Sequence, residues 1–121
     1  MKLNHIDLHV PDVQRAVLFF ERYFDFELQS NRASPAIAIL SDRHGFVLVL
    51  QRLKDPAHVY PEGFHVGFLV ENEDIVLGFH ERVRSDGLEV SEVLRNNRGV
   101  LVYCKAPGDI LVEVSCRPRA V

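Results

Sequence analysis

The sequence predicts an α+β fold built from two copies of a βαβββ unit. An internal repeat, a helix-period stretch in each half and short alternating apolar runs around each helix all point to it. Shifting the chain by sixty residues lays Asn4-His5-Ile6 over Phe64-His65-Val66 and Val10 over Val70. The same shift lays Phe19-Phe20-Glu21-Arg22 over Phe79-His80-Glu81-Arg82.

Each half opens on an alternating strand, Leu3 to Val10 and Gly63 to Val70. A helix follows. In the first half Asp12 is placed to cap the free amides of the opening turn, and Val13, Ala16, Val17, Phe20 and Phe24 recur as one apolar stripe. The second helix is expected from Glu73 to Ser85, with Ile75, Val76, Phe79 and Val83 inward and Gly87 as its stop. Three strands then complete each unit: Phe26 to Gln29, Ala36 to Ser41 and Phe46 to Arg52, then Leu88 to Val93, Val100 to Cys104 and Ile110 to Cys116. Their connections carry Asn, Asp, Gly and Pro, residues that turn the backbone at low cost.

With 121 residues the chain has room for one domain, organised as module 1 (1–52), a linker (53–62) and module 2 (63–116), with a tail from Arg117 to Val121. The linker, Leu53 to Glu62, holds two prolines and little periodicity. Hydrophobic residues make up 47% and charged ones 26%, the balance of a soluble globular chain. A net charge of −3 offers no basic field for nucleic acid or an anionic membrane. The N-terminus has no continuous apolar segment and no later run is long enough to span a bilayer, so a cytoplasmic location is expected. Cys104 and Cys116 sit on strand-like runs and read as small hydrophobes with free thiols.

Side chains alternate faces along a strand. On the first strand Ile6, Leu8 and Val10 share one face, and His5, Asp7 and His9 the other. On the fifth, Phe64, Val66, Phe68 and Val70 oppose Gly63, His65 and Gly67. On the last, Ile110, Val112 and Val114 oppose Leu111, Glu113 and Ser115. Three strands distant in sequence thus turn two imidazoles and one carboxylate, ringed by small residues, away from the helices. Two His and a carboxylate are good ligands for borderline divalent metals and leave open positions for water or substrate. His5, His65 and Glu113 are therefore the candidate metal ligands. His9 is read as solvated at its strand end. Asp7 is either a partner that orients an imidazole or an ordinary surface carboxylate. His44, His58 and His80 are read as surface residues.

The openings Leu3-Asn4-His5-Ile6 and Phe64-His65-Val66-Gly67, with the closing Pro107-Gly108-Asp109-Ile110-Leu111-Val112-Glu113, resemble the ligand strands of the vicinal oxygen chelate superfamily of glyoxalases, bleomycin-resistance proteins and extradiol dioxygenases. The resemblance covers essentially the whole chain. It implies a cupped mixed sheet and a divalent metal (Fe, Mn, Zn, Ni or Co) held by His5, His65 and Glu113. The family's remaining ligand position falls on Val49 or Leu50, neither of which binds metal, so the chain is closer to the three-ligand branches.

Tyr103, ten residues before Glu113, matches the spacing of an active-site tyrosine in those branches, which implies a proton donor or a hydrogen bond to a chelated oxygen. Val47 and Val49 would supply apolar wall, and Asp7, Gln51 and Lys105 polar contacts, to a small molecule with two adjacent oxygens. Fosfomycin modification is disfavoured, because Val93 stands where a phosphonate-binding lysine is expected. The resemblance also implies a homodimer whose sites combine modules of two chains. The reading from another class is a metal-free protein of the bleomycin-resistance kind that sequesters a drug.

Overall fold

The computed structural model describes residues 1–118, so Arg119, Ala120 and Val121 of the expected tail lie outside the described residues. The chain divides into two compact units, Met1–Val59 and the residues from Tyr60 onward.

The first unit runs β1 (His5–Val10), α1 (Val13–Phe24), β2 (Glu27–Leu28), β3 (Ile37–Ser41) and β4 (Val47–Arg52). Its strands form one four-stranded sheet in the order β1-β4-β3-β2, with β1 and β4 parallel and the other pairs antiparallel. Helix α1 starts where Asp12 accepts the Arg15 amide at 3.1 Å, and ends where Asp25 turns into the left-handed region at φ 54°. Its buried face is Val13, Ala16, Val17, Phe19 and Phe20; Phe24, expected in the stripe, is half-buried, and Phe19 takes part instead. Phe19 meets Phe20 edge to face at 5.1 Å, and both rings are buried, as are Leu8, Leu40, Leu48 and Leu50 of the sheet.

The second unit repeats the order: β5 (His65–Leu69), α2 (Glu73–Ser85), β6 (Leu94–Asn96), β7 (Gly99–Lys105) and β8 (Leu111–Cys116), paired β5-β8-β7-β6 with β5 and β8 parallel. The α+β class and the duplicated βαβββ order hold, as two four-stranded mixed sheets. Helix α2 has the expected bounds. Asn72 caps it by accepting the Ile75 amide at 3.1 Å, Glu73 and Asp74 in the first turn and Arg82 and Arg84 in the last complement its dipole, and Gly87 ends it at φ +82°. Only Val76 and Val83, seven residues apart and so two turns along one face, are buried. Ile75, expected inward, is 44% exposed, because it lies a full 100° step around the helix from Val76.

The strand expected at Leu88 to Val93 is displaced. Regular pairing starts only at Leu94, and the earlier segment makes an isolated bridge between Val90 and Cys104. The cause is Ser91: its Oγ accepts the Tyr103 amide at 2.9 Å and donates to the Glu92 carbonyl at 2.9 Å, so a side chain takes over the ladder's backbone role there. Further along, Asn96 and Gly99 close a two-residue hairpin. Gly99 has φ +114°, and a Cβ there would lie 1.9 Å from the Cys116 carbonyl oxygen.

Both cysteines are free thiols. Cys104 is buried, and burial first, with Glu89 second, pushes its thiol up to about 11. That raised value adds stability which is intact below the ordinary 9.0 and is lost as pH climbs toward 11.

Gly78, in the interior of α2 with nothing within 4 Å of a built Cβ, should gain about 1 kcal/mol on Gly78→Ala, whereas Gly99→Ala should lose about 3 kcal/mol or more. Urea unfolding of both variants checks this; midpoints moving in the same direction would contradict it. In the folded protein at pH 8, iodoacetamide should label half-buried Cys116 and reach Cys104 only after denaturation, read by peptide mass. Equal labelling would show that Cys104 is not sealed.

Candidate functional site

In the first unit the register sorts the face opposite α1 into rows. His5 lies beside Val47 and Ser41, Asp7 beside Val49 and Ile39, and His9 beside Gln51 and Ile37. The β1 margin is polar and the β3 margin apolar, with Ile37 and Ile39 40% and 39% exposed. Val47, Val49 and Gln51 between them are half-buried. Apolar side chains on an open sheet face, beside a line of hydrogen-bonding groups, suit a small organic ligand with one greasy and one polar side.

His5 contacts the Val47 carbonyl oxygen through Nδ1 at 3.3 Å. A carbonyl only accepts, so Nδ1 is the donor of that bond, and the tautomer that makes it has its lone pair on Nε2. Asp7 receives the Gln51 amide at 2.5 Å and stands 3.2 Å from His9 Nε2. Asp7 and Gln51 are therefore brought together as a polar pair on one face. His9, read from the sequence as merely solvated, joins them.

The second unit gathers the other candidates. His65 contacts the Gly63 carbonyl oxygen through Nδ1 at 2.9 Å, so Nδ1 again donates and the tautomer that makes the bond has its lone pair on Nε2. Gly63 takes φ +79°, a backbone state favourable to glycine. Across the sheet, Glu113 on β8 lies between Gly67 on β5 and Tyr103 on β7. The Tyr103 hydroxyl donates to Glu113 Oε1 at 2.9 Å, and the Ser115 hydroxyl to Oε2 at 3.4 Å. The Tyr103 ring meets the His65 imidazole edge to face, with centroids 5.9 Å apart. His65, Glu113 and Tyr103 thus form one cluster.

Sequence reasoning assigned no role to Ser115 or Gly67. Alternation already placed both on the Glu113 face, and that was the available signal. Lys105, on the same face of β7 as Tyr103, pairs with Glu89 at 3.6 Å. His80, expected on the surface, is half-buried and lines, with Arg84 and residues 88–93, a groove of about 440 Å³ beside α2. The bidentate Arg32–Glu21 pair and the Arg95–Glu73 pair hold those two carboxyls below the usual carboxylate range, and their residues belong to neither face described above.

Two bare Nε2 atoms and one carboxylate are donors that suit a borderline divalent ion. His65 and Glu113 supply two of them within one unit, and His5 a third within the other. Among the described residues, no group of three or more His, Cys, Asp or Glu side chains stands close enough together to hold a metal ion. No helix among them is long and apolar enough to cross a membrane.

Residues 2–114 match the family model of the Glyoxalase/Bleomycin resistance protein/Dioxygenase superfamily, and the chain belongs to that superfamily. It is similar to a structure described as a possible glyoxalase from Bacillus cereus, at 35% identity over 96% of this chain and 99% of that one, with a TM-score of 0.85. It shares its fold with a lactoylglutathione lyase from Agrobacterium tumefaciens at 17% identity, covering 95% and 92% of the two chains with a TM-score of 0.77. The same holds for a genomically encoded fosfomycin resistance protein from Listeria monocytogenes at 18% identity, 98% and 94% coverage and a TM-score of 0.81. No curated protein matches the chain.

Proposed function

We propose that this chain is a metal-dependent enzyme of glyoxalase-like or dioxygenase-like type, acting on a small organic molecule with two adjacent oxygens. His5, His65 and Glu113 are its metal ligands. One observation carries the reading: both imidazoles give their Nδ1 proton to a backbone carbonyl, which fixes the ring and leaves Nε2 free as a ligand. The two histidines occupy repeat-equivalent positions, and each has a carbonyl within reach of Nδ1, Val47 on the neighbouring strand for His5 and Gly63 two residues earlier for His65.

A divalent ion bound there (Fe, Mn, Zn, Ni or Co) would act as a Lewis acid, stabilising negative charge that develops on the substrate's oxygens. The chain's own residues do the rest. Val47 and Val49 pack the apolar part of the substrate. The Asp7–Gln51 pair supplies a hydrogen-bonding edge, with Gln51 anchored by its bond to Asp7. The functional unit is a homodimer in which modules of two chains supply the donors of each site.

Purified protein reconstituted with Co(II) or Zn(II) should bind one ion per chain, and Glu113→Ala should lose it, measured by calorimetry and elemental analysis. Substoichiometric binding, or unchanged binding in Glu113→Ala, would sink the proposal. A ligand whose affinity survived both chelation and His5→Ala would favour metal-free sequestration instead. Light scattering at micromolar concentration should give twice the chain mass; a monomer mass would contradict the dimer.

A further inference from the structure

We infer that Tyr103 is a positioning residue for Glu113, making Glu113 a one-oxygen metal ligand through Oε2. The inference rests on the metal reading above, and it reassigns the tyrosine from substrate to ligand.

The register supplies the first step. Glu113 has a phenol beside it on β7 and no side chain beside it on β5, where Gly67 is its partner. The carboxylate is turned accordingly. Oε1 accepts the Tyr103 hydroxyl at 2.9 Å, while Oε2 lies 3.6 Å from the point where a Gly67 Cβ would stand. A phenol has one proton, and while it is held by Oε1 it is not available to a substrate oxygen.

His65 is two residues before Gly67 on β5, on the same face, and its Nδ1 bond to Gly63 leaves Nε2 as the ligand atom. Oε2, the oxygen next to the Gly67 position, is the carboxylate oxygen on the β5 side, and Oε1, bonded to Tyr103, the one on the β7 side. Ser115, 3% exposed, approaches Oε2 at 3.4 Å, a long bond that leaves the oxygen lone-pair capacity for a metal. A flexible three-torsion side chain is thereby held with one oxygen anchored and one presented. Gly67 keeps the approach to Oε2 open.

Removing such an outer partner of a metal ligand typically lowers metal affinity by about 10–100-fold. The test is Co(II) titration of the purified full-length protein without substrate, by calorimetry and by the visible Co(II) bands, for wild type, Tyr103→Phe, Gly67→Val and Glu113→Ala. Tyr103→Phe keeps the ring and deletes only the hydroxyl. It should weaken Co(II) binding about 10-fold or more and change the Co(II) band intensities, with circular dichroism unchanged. Gly67→Val, which puts methyl groups over Oε2 on a residue suited to strands, should weaken it as well.

Wild-type affinity in Tyr103→Phe would mean that the phenol serves something other than Glu113 and would overturn the inference. Wild-type affinity in Gly67→Val would overturn the assignment of Oε2. If wild type itself takes up no Co(II), the metal reading fails and the inference with it, an outcome distinct from the other two.

Discussion

In each unit the strand that opens the chain segment pairs in parallel with the strand that closes it, β1 with β4 and β5 with β8. A parallel pair needs a long crossover, here supplied by a helix and two further strands. The helix covers one face of the sheet, so the even-numbered residues of β1 and β8 become core and the odd-numbered ones are turned away from it. Because the side-chain period is two, a slip of one residue would bury His5 and Glu113 and expose Leu8 and Val112. Burying an unpaired imidazole or carboxylate costs several kcal/mol, and losing those apolar contacts costs about 2 kcal/mol each, so the two penalties hold the same register.

The candidate chemistry inherits its geometry from that constraint. The register, and not any local motif, puts Glu113 between a phenol and a glycine. Backbone carbonyls at Val47 and Gly63, positioned by the same strands, select Nδ1 as the donating nitrogen of His5 and His65. The polar groups cost little where they stand, since His5 and His65 are exposed and Glu113, half-buried, has a hydrogen bond on each oxygen. The apolar layers beneath them carry the stability, and the ion pairs at Arg32 and Arg95, open to solvent, contribute little to it.

How far the sequence revealed this differs from element to element. The duplicated order was legible because His5 and His65 and both helix patterns recur at one offset, and α2 was legible because its apolar spacing runs up to a glycine stop at Gly87. The strand before Gly99 was not. Alternation over Leu88 to Val93 looks regular, and only the coordinates reveal that the Ser91 hydroxyl substitutes for a backbone group there. The same irregular segment carries Glu89, which is why its pairing with Lys105 could not be foreseen. The bond from Tyr103 to Glu113 needed the β7–β8 register, and the imidazole tautomers needed carbonyl positions, neither of which residue spacing contains.

Diffraction from crystals soaked in Co(II) or Zn(II), with data collected at the metal absorption edge, tests the account most directly. It predicts one anomalous peak per chain, bonded to a His65 Nε2, a His5 Nε2 and Glu113 Oε2, with Tyr103 still on Oε1. Absence of a peak at these residues, or a metal bonded through Oε1 with the tyrosine displaced, would contradict it.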